Sequence, residues 1–117
     1  MNYKNKYKAK KVVIDGITFD SKKEANRYCE LRLLERAREI TSLELQKEFE
    51  LIPTQYINGK CVERAVKYKA DFVYKQNGET VVEDVKGYRD PASAGYAKFV
   101  IKRKLMLYVH NIRIKEV

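Results

Sequence analysis

Two short segments carry residues that could perform hydrolytic chemistry together: "YKADFVY", which contains Asp71, and "VVEDVKG", which contains Asp84 and Lys86. Aspartate carboxylates are oxygen ligands of the kind that Mg²⁺ takes from proteins, and the ion keeps several waters beside them. A lysine next to such an ion can hold or deprotonate an attacking water and stabilise the negative charge of a phosphate. These residue types therefore indicate metal-assisted attack on a phosphate, provided that the fold brings the two segments together.

The turn between the two segments fixes how they face each other. Asn77-Gly78 is typical of a two-residue hairpin loop, and counting outward from it places Asp71 directly opposite Asp84. The two Cβ atoms would be about 5 Å apart, where two unit charges repel by about 3 kcal/mol at an effective dielectric constant of 20. A compensating positive group or ion is therefore expected at this pair.

The same strand alignment sorts the neighbouring charges onto two faces of the sheet. It predicts Lys69 opposite Lys86, on the face of the two aspartates. It also predicts Glu83 on the other face, opposite Phe72, with a structural or ion-pair role. An exposed charged face that neutralises itself is the alternative to a metal site.

Helix and strand patterns on both sides of this hairpin complete an α/β domain over 12–117. The order is an N-terminal β-hairpin, a helix, three antiparallel strands, a second helix and a last strand that lies parallel to its neighbour. The expected ranges are a hairpin at 12–19 around Asp15-Gly16, a helix from the Ser21 N-cap to about Glu39, strands at 43–57, 60–76 and 79–86, a helix at 96–110 and a strand at 112–117. The first helix has apolar positions spread widely enough for packing on two sides.

The composition narrows the range of partners. Lys and Arg number 25 against 16 Asp and Glu, a formal net charge of +9, which favours contact with nucleic acid or with an anionic membrane and does not choose between them. Residues 1–11 form a basic tail, which is either a solvated segment or an arm that contacts phosphates. No apolar stretch is long enough for a membrane span or a signal peptide, so an intracellular (cytoplasmic) protein without a membrane partner is expected.

Two cysteines and one histidine exclude several other classes of site. Cys29 and Cys61 are far apart in the sequence and His110 is the single histidine. A structural zinc site and a disulfide scaffold are therefore not expected. His110 would have to be the base of any serine or cysteine hydrolase, and a structural histidine at a helix end fits it better.

The segments "DGITFDSKKEA", "YKADFVY", "VVEDVKGY" and "IKRKL" resemble those of a family of small, phage-associated proteins assigned to the PD-(D/E)XK nuclease superfamily. The resemblance covers about residues 11–117 and implies a restriction-endonuclease-like αβββαβ core. It implies Mg²⁺- or Mn²⁺-dependent hydrolysis of DNA that leaves a 5′-phosphate, and action on branched DNA such as Holliday junctions. Two departures are Ala70 in the place of the motif's proline and Asp84 in the place of the commoner glutamate.

The resemblance also assigns roles to individual residues. Asp71 and Asp84 become metal ligands, the Val85 carbonyl a further ligand, and Lys86 the catalytic lysine. Glu24 is expected to assist at the metal, although Ser21 and Glu24 also have the spacing of a capping box, in which Glu24 only completes the start of the helix. Gln46 is an accessory candidate, with a solvent-facing strand residue as the alternative.

Four basic residues of the second helix are expected to contact DNA together with Lys69: Lys98, Lys102, Arg103 and Lys104. The apolar positions Ala97, Val100, Ile101, Leu105 and Tyr108 are expected to face the core. A non-catalytic nucleic-acid-binding module on the same fold is one alternative function, and an assembly protein with an acidic surface network is another. Cutting both strands of a four-way junction would require a symmetric homodimer.

Overall fold

The computed structural model describes residues 10–86 and 92–117. Most of the basic tail expected at 1–11 therefore lies outside the described residues. Ten elements follow along the chain: β1 Val12–Ile14, β2 Ile17–Phe19, α1 Lys22–Arg36, β3 Thr41–Ile52, β4 Gln55–Ile57, β5 Lys60–Glu63, β6 Val66–Gln76, β7 Glu79–Asp84, α2 Ala94–His110 and β8 Lys115–Glu116.

The central sheet has four strands in the order β3-β6-β7-β8. β6 is antiparallel to both β3 and β7, whereas β8 is parallel to β7, with Asp84 paired to Glu116. The predicted mixed sheet, N-terminal hairpin and two helices are therefore confirmed. The hairpin turns at Asn58-Gly59 and Asn77-Gly78 form as expected, since all four residues have positive φ angles.

Two of the predicted long strands are interrupted. The strand expected at 43–57 breaks after Ile52, at Pro53, and the strand expected at 60–76 breaks before Val66. Proline has no N–H to donate to a ladder, so it ends the pairing of β3 with β6 at this point. Beyond the break, β4 and β5 form a two-stranded sheet of their own.

The two helices pack on two different cores. α1 contributes Tyr28 and Leu31 to one core, which also holds Phe72. α2 contributes Phe99 and Met106 to the other core. Each of the two cores is thereby covered by one helix.

Both helices differ in detail from the expectation. α1 ends at Arg36 rather than near Glu39, because Arg38 adopts a left-handed conformation with φ of 63°. Packing on two sides was expected from its widely spread apolar positions, but three of them, Cys29, Leu33 and Ala37, are exposed. In α2 the predicted core positions Ala97, Ile101 and Tyr108 are exposed, since the helix turns Phe99 and Met106 inward instead.

β3 and β6 both change the face that they bury at the same point. Tyr68 and Ala70 pack in the core of α2, whereas Phe72 and Tyr74 pack in the core of α1. Uninterrupted alternation would put all four even-numbered side chains on one face. The ladder pairs Leu45 with Phe72 and Lys47 with Ala70 but forms no pair between Gln46 and Asp71, and Gln46 has a φ of 55°. The face change is thus located at Gln46 and Asp71.

In the described part of the chain, no helix is long and apolar enough to cross a membrane.

Two leucines of α1 test the assignment of its buried side. Leu31 is 0% exposed and Leu33 is 63% exposed. Leu31→Ala should lower the free energy of unfolding by about 2–5 kcal/mol because it leaves a cavity. Leu33→Ala should change it by less than about 0.5 kcal/mol. Urea unfolding followed by circular dichroism measures both values, and equal losses in the two variants would contradict the orientation of α1.

Candidate metal and phosphate site

The aspartates predicted to face each other do meet at the end of the β6–β7 ladder. The last ladder pair is Phe72 with Glu83, and Asp71 and Asp84 are the next residues along the two strands. The Asp71 carboxylate accepts a hydrogen bond at Oδ2 from the Val85 backbone N–H, at 2.8 Å. The side chain of Asp71 thus takes the place of a backbone acceptor and holds the two strands together at this end.

Burial raises the pKa of Asp71 above its usual value. The Val85 N–H and the Gln46 side chain act in the opposite direction by hydrogen bonding to the carboxylate, and the negative charge of Asp84 adds to the increase. Asp71 therefore lies where a further negative charge is unfavourable and a cation would be stabilised.

Both carboxylate oxygens of Asp84 have a defined partner. Tyr68 donates its hydroxyl to Oδ2 at 2.6 Å, and Lys86 Nζ lies 2.8 Å from Oδ1. The Lys86 ammonium also lies 3.5 Å from the centre of the Phe99 ring, a cation–π arrangement that desolvation strengthens. Asp84 and Lys86 are therefore fixed relative to each other by two aromatic side chains from the core of α2.

Glu24 reaches the site from the first turn of α1. Ser21 caps this helix, since its Oγ accepts from the Glu24 backbone N–H at 3.1 Å. The Glu24 carboxylate bonds to groups other than the Ser21 amide. Gln46 Nε2 donates to its Oε1 at 3.3 Å, and Asp20 supplies a backbone hydrogen bond. The capping motif and the approach of Glu24 to the site are thus compatible.

Burial raises the pKa of Glu24 to about 7, and the charges of Asp71, Asp20 and Asp84 add to this effect. Three carboxylates therefore interact electrostatically at this end of the sheet. We call Glu24, Asp71 and Asp84 the carboxylate cluster.

Gln46 joins two members of the cluster through one amide group. Its Nε2 donates to Glu24 at 3.3 Å and lies 3.5 Å from Asp71 Oδ1. The left-handed backbone at Gln46 is unfavourable for a non-glycine residue by about 1–2 kcal/mol. Gln46 is thus exposed, as the solvent-facing alternative predicts, but its side chain also bonds to two members of the cluster.

Lys69 does not lie where the sequence places it. Continuous alternation predicts Lys69 beside Lys86, but the face change at Asp71 brings Tyr68 to this side instead, and Tyr68 bonds to Asp84. Lys69 lies between two residues buried in the core of α2, and its own side chain is exposed. The expectation for the position of Lys69 is wrong for this reason. Tyr68 is missed by sequence reasoning because no pattern in the sequence marks the interruption.

Glu83 has the structural role that the alternation predicts. It is fully buried and faces Phe72 in the ladder. It also forms a bidentate ion pair with Arg27, whose Nε and Nη2 each donate to a Glu83 carboxylate oxygen at 2.7 Å. Tyr74 also donates its hydroxyl to Glu83. Burial alone would raise the pKa of Glu83, but the hydrogen bonds from Arg27 and Tyr74 outweigh it and hold the pKa below its usual value.

The basic residues of α2 differ in their surroundings. Lys98 and Lys104 are exposed, and Lys102 is half-buried. Arg103 is half-buried, and its guanidinium lies 3.2 Å from Glu116. Lys98 and Lys104 are therefore the members of this group most accessible to a polyanion.

The donor set of the cluster fits a hard divalent cation. It consists of three carboxylates, and the charge of Asp84 helps to raise the pKa of both Glu24 and Asp71. Oxygen donors of this kind suit Mg²⁺ or Mn²⁺. With the side chains as they stand, no group of three or more His, Cys, Asp or Glu residues among 10–86 and 92–117 is arranged around a metal position. Carboxylate oxygens of the cluster are instead hydrogen-bonded to other groups of the protein: Tyr68, Lys86, Gln46 and the Val85 N–H.

Residues 4–115 match the family described as "Protein of unknown function (DUF1064)". The chain belongs to this family. No curated protein and no solved structure matches the chain. The DUF1064 match includes the carboxylate cluster, Gln46 and Lys86, so every residue placed at the site belongs to the segment that defines membership.

The raised pKa of Glu24 predicts a pH-dependent loss of stability in the DUF1064 chain without metal. A carboxyl whose pKa is higher in the folded state stabilises the fold below its unfolded value of 4.5, and this contribution is lost as pH rises through about 7. The loss should be on the order of 1–3 kcal/mol, because solvent near the cluster screens part of the effect of the pKa shift. Glu24→Gln, which resembles the protonated form, should remove this loss, as measured by urea unfolding from pH 4 to 8 with a chelator.

Glu39→Gln is the matched control for removing one negative charge, because Glu39 is exposed and lies outside the site. This variant should keep the pH dependence of the wild type. Parallel pH profiles for wild type and Glu24→Gln would contradict the assigned environment of Glu24.

Proposed function

We propose that the chain is a metal-dependent nuclease that hydrolyses phosphodiester bonds in DNA, with Mg²⁺ or Mn²⁺ as its cofactor. The observation that carries the proposal is the convergence of three carboxylates and Lys86 at one end of the sheet, where Lys86 contacts Asp84 at 2.8 Å. The residues that converge are those that the resemblance to the PD-(D/E)XK superfamily assigns to the site.

The charge distribution supports a polyanionic substrate together with a cation. The chain has a formal net charge of +9, yet the cluster brings carboxylates close enough for one to raise another's pKa. A negatively charged site on a positively charged protein repels a phosphate locally unless a cation lies between them. The positive surface would bind the DNA backbone, with Lys98 and Lys104 as exposed contributors.

Each side chain has a separate role in this proposal. Asp71, Asp84 and Glu24, with the carbonyl of Val85, would hold the cation, which supplies Lewis-acid polarisation of the phosphate and a lowered pKa of bound water. Lys86 orients the attacking water and stabilises negative charge on the phosphate oxygens. Tyr68 holds Asp84, and Gln46 holds Glu24 and Asp71 in position.

The proposed substrates include branched DNA such as four-way junctions, in phage recombination or replication, as the resemblance implies. The cleavage assay compares linear, single-stranded, flapped and four-way DNA in the presence of Mg²⁺ or Mn²⁺. Asp84→Ala and Lys86→Ala should each lower the rate by about 100-fold or more, because each removes a group that acts on the reacting phosphate.

Lys75→Ala is the control for losing a lysine, because Lys75 is exposed and bonds to Thr80 near the hairpin turn. Its cleavage rate should stay close to that of the wild type. If wild type cuts none of the four DNA forms but binds them, the chain is a binding module rather than a nuclease. If Lys86→Ala and Lys75→Ala cut equally well, the role of Lys86 is wrong.

Metal binding is measurable without cleavage. Mn²⁺ or Mg²⁺ at 100 times its dissociation constant should stabilise the folded chain by about 2.7 kcal/mol and raise the melting temperature by several degrees. Asp84→Asn should lose most of this increase, whereas Glu39→Gln should keep it. A wild-type melting curve that neither ion shifts would instead support an acidic surface network without a metal.

A further inference from the structure

β4 and β5 form a ribbon that stands apart from the rest of the fold. Residues 55–64, which we call the ribbon, include a two-stranded sheet joined by the turn at Asn58-Gly59. Every residue of β4 and of β5 is exposed. The ribbon therefore lies outside both of the cores that α1 and α2 cover.

The exposed side chains of the ribbon include large apolar residues on both of its faces. Tyr56 is 65% exposed and Ile57 is 62% exposed, and adjacent strand residues point to opposite faces. An isolated two-stranded hairpin is marginally stable in water. A ribbon with apolar side chains on both faces is stabilised most by a partner that buries both faces. An arm exchanged between two copies of the chain would do so.

The charges of the ribbon distinguish between a nucleic acid and a protein partner. Lys60 and Arg64 outnumber Glu63, so the ribbon has a net charge of +1. α2, in contrast, has four basic residues and no acidic residue between Ala94 and His110. DNA backbone contact requires clustered positive charge, which α2 offers and the ribbon does not. Two copies of a chain with a net charge of +9 repel each other less at the ribbon, which has a net charge of +1 and includes an acidic residue, than at α2.

The backbone of the ribbon also has room for a second copy. Among the described residues, β4 and β5 are hydrogen-bonded only to each other, so each has an outer edge available for strand pairing. A strand added at such an edge gains backbone hydrogen bonds, while the side chains supply specificity. A two-fold axis requires only one self-complementary surface per copy.

We infer that the ribbon is a dimerisation arm that docks on the ribbon of a second copy of this chain. The inference does not depend on catalysis or on metal binding. It assigns Tyr56 and Ile57 as the apolar contacts, with Lys60 and Glu63 available for reciprocal ion pairs between the copies.

Sedimentation velocity on the full chain without DNA tests this inference. Wild type should be a dimer at micromolar concentration, and the double variant Tyr56→Ser with Ile57→Ser should have a dissociation constant at least about 100-fold higher. The thermal melting temperature of this variant at monomeric concentration should match that of diluted wild type, because the ribbon lies outside both cores.

The matched control is Tyr108→Ser with Ile101→Ser on α2, where the same two residue types are 85% and 61% exposed. This control should remain a dimer. A wild type that stays monomeric at high concentration, or a control that dissociates while the ribbon variant does not, would overturn the inference. A monomeric wild type whose DNA affinity falls with the ribbon substitutions would overturn it in favour of a DNA-binding arm.

Discussion

The face change at Gln46 and Asp71 is the constraint on which the rest of the structure depends. It moves core-facing side chains of β3 and β6 from the core of one helix to the core of the other, although Val73 beyond it still packs in the core of α2. The same interruption leaves the side chains of Gln46 and Asp71 outside both cores and beside the first turn of α1. Packing and site assembly are therefore two results of one local irregularity, at which a glutamine within a strand adopts a left-handed conformation.

Adjacent acidic residues of β7 have different environments because they lie on opposite faces. Glu83 is enclosed by Arg27 and Tyr74, which satisfy its charge and hold its pKa low. Asp84, at the end of β7, interacts with Tyr68 through one carboxylate oxygen and with Lys86 through the other. Both carboxylates are buried and paired, but Glu83 is held by an arginine in a bidentate ion pair, whereas Asp84 lies close to Asp71 and Glu24. A carboxylate beside two others at a strand end can exchange its partners, which is what a proposed metal ligand requires.

The surface separates by charge as well. α2 presents basic residues around exposed apolar side chains, whereas the ribbon has a net charge of +1 and exposed apolar residues on both faces. Electrostatic interactions act over about 8–10 Å at physiological salt, so the electrostatic potential is more positive beside α2 than beside the ribbon. This separation gives the small domain two chemically different surfaces in addition to the site.

Much of the fold follows from local signals in the sequence. The Asn-Gly turns predicted their hairpins and, by counting outward from Asn77-Gly78, the alignment of Asp71 with Asp84. The Ser21 cap predicted the start of α1, and the alternation of β7 predicted the opposite face for Glu83. These signals are local because turn geometry and strand period act over a few residues. The pairing of Tyr68 with Asp84, the exposure of Lys69 and the face that α2 buries were decided only by the tertiary structure. These features depend on where two strands change faces together and on how a helix rotates to fit the resulting surface. These features are set by contacts between residues that are distant in sequence, so no short segment of the sequence predicts them.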